Sequence, residues 1–110
     1  MSKSPIVRKG AAKSMDRAPG VVLQILTDGE RAMLVEVDIE AGAVVSMHSH
    51  PHEQTGTLIS GRLRFEIGDE TFELERGDAW MIPGGVPHEA TGIEKCRVVE
   101  VFSPPREDWR

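Results

Sequence analysis

Residues 47–54 read MHSHPHEQ and residues 82–90 read IPGGVPHEA, and these two short segments hold all four histidines of the 110-residue chain. His48 and His50 are two apart, a spacing that in an extended strand puts both imidazoles on one face, and Gln54 shares their parity. Neutral imidazole ligates first-row divalent metals, and an amide oxygen adds a neutral oxygen donor. His88 follows Pro83, Gly84, Gly85 and Pro87, a rigid loop that fixes its direction. An isolated histidine is more often a hydrogen-bonded or surface residue than a ligand. Four histidines confined to two Gly/Pro-framed segments, with a hairpin between them to fold one back on the other, point instead to a shared ion. His52, behind Pro51, reads as a solvent-facing loop residue.

Outward from these segments the chain reads as short strands. Residues 21–27 (VVLQILT) and 31–39 (RAMLVEVDI) flank an Asp28-Gly29 turn, and in the second run Met33, Val35, Val37 and Ile39 alternate with more polar neighbours. After the histidine cluster, residues 55–60, 62–67 and 71–75 alternate in the same way, with Leu63, Phe65 and Ile67 on one face and Phe72 and Leu74 completing an amphipathic hairpin. Residues 79–82 (AWMI) form a short apolar strand. The last clear strand is 96–102, with Val98, Glu100 and Phe102 on one side and Pro104-Pro105 ending it. No window carries a sustained helical period with caps, and seven to nine short strands argue for an all-β sandwich or closed barrel.

The length suits a single domain. The first twenty residues carry Lys3, Arg8, Lys9, Lys13 and Arg17 against Asp16 alone, which leaves −9 on the remainder of a chain whose net charge is −5. Residues 1–20 therefore read as a basic N-terminal arm, and residues 21–110 as the folded domain. An acidic body disfavours nucleic acid, whose binding draws on clustered Lys and Arg. No apolar run approaches the roughly 20 residues of a membrane span, and a single cysteine, Cys96, with no apolar leader, points to the cytoplasm. Cys96 itself reads as a buried small hydrophobe.

At this point the residues resemble a known family. Gly42, His48, His50, Gln54 and Gly61 fit G-x5-H-x-H-x3-E-x6-G, the first cupin motif, with Gln in the Glu position. Gly77, Pro83, Gly85 and His88 fit the second, G-x5-P-x-G-x2-H, and fifteen residues separate the two, as in the shortest bacterial cupins. The resemblance implies an all-β double-stranded β-helix, or jelly-roll barrel, in which His48, His50, Gln54 and His88 hold one divalent transition metal (Mn, Fe, Co, Ni, Cu or Zn). Two departures stand out: Gln54 removes a negative charge from the metal's ligands, and Gly92 stands where Asn often closes the second motif. Glu53 is a substitute ligand of the wrong strand parity.

Within the cupins, HSHPHEQ together with the tail VEVFSPPRED is similar to small pectin- and alginate-degradation cupins that convert 4,5-unsaturated uronates into linear keto acids. By position, Phe102 and Arg106 match that group's pattern, and Glu100 stands where it usually has Asp. The resemblance thus implies an enzyme acting on a small anionic substrate, with Glu100 moving a proton, Arg106 holding a carboxylate, and Phe102 beside them. The plainer alternatives are a solvated Glu100, and Arg106 in a surface ion pair with Glu107 or Asp108. Two other functions fit the same barrel: a metal-dependent dioxygenase or other redox cupin, and a non-catalytic barrel binding a small anion or sugar. Cupins of this kind are usually dimers, so a homodimer is expected.

Overall fold

The period of two in residues 33–39 becomes strand β3 (Met33–Ile39), with Met33, Val35, Val37 and Ile39 all buried. Successive strand residues point to opposite faces, so such a pattern can bury only one side. The other strands are β1 (Lys13–Ala18), β2 (Val21–Asp28), β4 (Val44–His48), β5 (Glu53–Ser60), β6 (Arg62–Ile67), β7 (Glu70–Glu75), β8 (Ala79–Ile82), β9 (His88–Gly92) and β10 (Cys96–Ser103). A single 3-10 turn, Glu107–Trp109, ends the chain. The computed structural model describes residues 4–110, so Lys3 of the basic arm lies outside the described residues.

Six strands form one sheet in the order β1-β2-β3-β10-β5-β8, and four form a second in the order β4-β9-β6-β7, with every pairing antiparallel. The apolar faces of the two sheets meet in one core: Val21, Leu23 and Val35 from the first sheet, Leu63, Phe65 and Ala90 from the second. This is the all-β jelly roll expected from the sequence. No helix among the described residues is long and apolar enough to cross a membrane.

Three local features differ from the sequence expectations. The sheet begins at Lys13, inside the stretch read as an arm, because β1 pairs along β2 from Lys13–Ile25 to Ala18–Val21. Residues 88–92 form a strand, β9, where only a loop delivering His88 was expected; Ala90 and Gly92 are too small to announce it. On β7, Phe72 is 39% exposed instead of facing the core, and β7 is the edge strand of its sheet.

Five polar or charged residues are buried among those described: His50, Gln54, His88, Glu100 and Arg106. Burying such groups costs free energy unless each finds a partner. They are not scattered through the core; Gln54, His88, Glu100 and Arg106 line one pocket inside the barrel, and His50 packs beside it against Gln54 and Phe102.

Candidate metal centre and ligand pocket

His48 ends β4, and a bulge between Val45 and His48 sets it directly across from His88, the first residue of β9. Without that extra residue, Met47 would take the inward place, and β-bulges commonly re-aim a side chain in this way. The two rings lie 4.4 Å apart between centroids. His50 lies beyond β4 in the connection to β5, so the expected reason for its pairing with His48, two positions on one strand, is replaced by another. The Pro-Gly-Gly loop clamps it: Gly85 donates its N–H to the His50 carbonyl at 2.8 Å. A Cβ on Gly84 would collide with the Pro51 carbonyl oxygen, so only glycine lets the two segments meet this closely.

Gln54 lies on β5, level with Phe102 on one side and Ile82 on the other. It reaches the histidines from a different strand, and parity with His48 and His50 plays no part. Glu53 is exposed, as its parity suggested. His52 is half-buried instead of solvent-facing, and what it contributes is its carbonyl, which holds His50.

The hydrogen bonds fix the ring tautomers. His48 Nδ1 lies 2.8 Å from the Ser46 carbonyl, His88 Nδ1 2.9 Å from that of Val86, and His50 Nδ1 3.1 Å from that of His52. A carbonyl can only accept, so each Nδ1 carries the hydrogen and each neutral ring keeps its lone pair on Nε2. Burial depresses the pKa of all three below the ordinary histidine value, to about 4 for His50, where the charge of Arg106 adds to it. Their ligand atoms lie within 4.8 Å of one another.

Two observations show that these residues suit a cation. His88 Nε2 is buried with no hydrogen-bond partner. His50 Nε2 lies 3.0 Å from Gln54 Oε1, and because the Gln54 amide nitrogen donates to Glu100, the two atoms facing each other are both acceptors. A pair of lone pairs at that distance is satisfied by a metal ion between them, and imidazole with a neutral oxygen suits a first-row divalent metal. The three-histidine site can hold a metal, and the Gln54 oxygen lies at its edge, 3.0 Å from His50 Nε2.

Glu100 sits beside this cluster in the interior. Its Oε2 accepts from the Gln54 amide and, at 2.9 Å, from Trp80 Nε1. Burial pushes its pKa above the ordinary carboxyl value; the two hydrogen bonds and the charge of Arg106 oppose that rise. It is not a solvated strand residue. Gly56, on the neighbouring strand, makes the room: a Cβ there would lie 2.7 Å from Glu100 Cγ and 2.9 Å from Trp80 Nε1.

Arg106 is buried and paired at once. Its Nε and Nη2 donate to the Asp108 carboxylate at 3.1 and 2.9 Å, and its guanidinium lies 4.0 Å from the Trp109 ring centroid and 5.2 Å from that of Phe102. The pair holds the Asp108 pKa below its usual range. Phe102 packs edge-on against His50, with centroids 5.7 Å apart, so it spans the metal cluster and the arginine.

Two residues of the site carry no signature in the sequence. Trp80 reads as one apolar residue in AWMI, and only the ladder that places Gly56 between it and Glu100 reveals its bond. Arg17 reads as part of a basic arm, yet it lines the pocket with His48, His88, Glu100 and Arg106. Gly92 is explained by packing: a Cβ would sit 2.5 Å from the Glu40 carbonyl oxygen, so the Asn common at that position does not fit.

Comparison with known proteins agrees with this architecture. The Cupin domain family matches residues 35–102. An uncharacterized protein of Streptomyces coelicolor is 38% identical over 88 residues, which are 78% of this chain and 82% of that protein. The solved structure of KdgF from Halomonas sp. is similar with a TM-score of 0.88 and 30% identity, covering 96% of this chain and 99% of that one. An RmlC-like protein from Shewanella frigidimarina, at 24% identity, shares the fold with a TM-score of 0.91 over 98% of this chain and 97% of its own.

Proposed function

The chain belongs to the cupin family, and on that footing we propose that it is a metal-dependent enzyme that opens and tautomerises a 4,5-unsaturated uronate, or a similar small carboxylated sugar, to a linear keto acid. The observation that carries this reading is Glu100, a buried carboxyl with a raised pKa, locked by Gln54 and Trp80 beside a three-histidine cluster. A buried carboxyl whose pKa lies above the ordinary carboxyl value suits general acid–base work. The likeness to KdgF and the match of Phe102 and Arg106 to the small uronate-pathway cupins support the choice of substrate.

His48, His50, His88 and Gln54 would hold one divalent transition metal, among Mn, Fe, Co, Ni, Cu and Zn, which when bound supplies Lewis-acid polarisation of the sugar's oxygens. In the reaction the anomeric hydroxyl loses a proton, the bond between the anomeric carbon and the ring oxygen breaks, and C4 gains a proton as C5 becomes a ketone. The conversion is an isomerisation with no oxidant and no net loss of atoms. Glu100 is the group placed to take or give those protons. Trp80 fixes its orientation, Phe102 walls the pocket next to His50, and the buried charge of Arg106 favours an anionic ligand.

The test is direct. Metal-loaded protein incubated with unsaturated galacturonate should consume the alkene absorbance, and a rate no faster than buffer would sink the uronate reading. Glu100→Gln should slow turnover by about 10²–10⁴-fold while leaving metal content unchanged. Loss of metal in that variant would mean that Glu100 serves the site's structure instead.

A further inference from the structure

Arg17 stands out as a pocket cation with no counter-ion of its own. Among the described residues it makes no hydrogen bond or ion pair, although it lines the pocket beside His48 and His88. Its place comes from an irregularity in β1. The β1–β2 ladder pairs Asp16 with Val22 and Ala18 with Val21, so Arg17 is the extra residue of a bulge. A bulge re-aims side chains; here Arg17 and Ala18 are both half-buried on the inner side while Asp16 stays exposed.

Arg106 is less free for the same work. Asp108 takes its Nε and Nη2, and Phe102 and Trp109 pack against its guanidinium. An arginine recognises a carboxylate best through two parallel N–H bonds, and on Arg106 the Nε–Nη2 edge already holds Asp108, which leaves only the edge that carries Nη1. Asp108 is therefore matched to Arg106, and Arg17 feels that carboxylate without touching an anion of its own. Burial and the charge of Arg106 both lower the Arg17 pKa, as expected for a cation short of an anion.

We propose that Arg17 holds the ligand's carboxylate and so sets the preference of the site for acidic over neutral sugars, with Arg106 acting as a fixed second cation in the pocket wall. The proposal rests on the uronate reading above and assigns its carboxylate contact to a residue of the first strand.

Calorimetric titration of the metal-loaded wild type, Arg17→Gln and Arg17→Lys with galacturonate and with its neutral methyl ester tests it. Arg17→Gln should weaken galacturonate binding by on the order of tenfold or more, leave the ester and the thermal midpoint unchanged, and raise KM more than it lowers kcat. Arg17→Lys should recover part of the loss, and it carries the comparison if Arg17→Gln does not fold. Unchanged galacturonate affinity in Arg17→Gln, an equal loss for the ester, or no galacturonate binding by the wild type would overturn the proposal. Carboxylate binding that depends on Arg17, without turnover of the unsaturated uronate, would sink the enzyme reading and leave the role of Arg17 standing.

Discussion

The Cys96 thiol is buried on β10 opposite Ile39, and burial, with the charge of Asp38 adding to it, pushes its pKa from 9.0 up to about 11. A raised acid pKa means that the folded chain holds this proton more tightly than the unfolded one. The resulting stabilisation is complete below about pH 9 and is lost as the pH rises through about 11. Iodoacetamide at pH 8 should therefore alkylate the native protein far more slowly than the denatured chain, and brisk native alkylation would contradict a buried thiol. Cys96 was legible because alternation marked its face, and His48, His50, Gln54 and His88 were legible because donor type and spacing announce them. Gly56 and Trp80 were not, since each matters only through a neighbour across a ladder: Gly56 pairs with Glu100 on one side and Trp80 on the other. Nothing within the local sequence of either residue records that contact.

Two loops and two bulges, more than the strands themselves, assemble the site. The period of two was enough to read β2, β3, β6 and β10, because their inner faces meet a full opposing sheet. It failed on β7, where an edge strand leaves Phe72 partly exposed, and on β1 and β9, whose inward residues include Arg17, His88 and Gly92. The bulges at Arg17 and before His48 are invisible to periodicity because each breaks it by one residue. The contact of the 83–87 loop with the His50–Pro51 corner is the most exposed to a single change. In Gly84→Ala the new methyl meets the Pro51 carbonyl, so the loop must lift and weaken the bond from Gly85 to the His50 carbonyl. Both sheets lie outside that contact and should persist, with an unchanged far-UV spectrum. Metal affinity should fall by roughly 10–100-fold, the usual consequence of disturbing the supports of a ligand. Metal titration measures the loss, and wild-type affinity would show that the clamp does not position His50.

The two sheets enclose a polar cluster that the protein alone does not satisfy. His88 Nε2 is buried without a partner, and His50 Nε2 faces the oxygen of Gln54. An unsatisfied buried acceptor opposes folding, so the apo chain carries this penalty and a bound metal removes it. The unfolded chain cannot gather donors from the end of β4, the 49–52 connection, β5 and β9, so a metal held by this cluster would bind the folded state and stabilise the whole barrel by mass action. At a free-metal concentration a hundredfold above its dissociation constant, the gain is about 2.7 kcal/mol. For a domain of this size that corresponds to a rise in Tm on the order of 10 °C. Scanning calorimetry of chelator-treated protein, before and after addition of Zn2+ or Mn2+, should show that rise, with the calorimetric enthalpy still that of one cooperative unit. In His88→Gln, which removes one ring from the cluster and keeps a polar side chain in its place, the rise should largely disappear. Equal stabilisation of the variant and the wild type would locate the metal elsewhere on the chain, and the lone pairs of the cluster would then need another explanation.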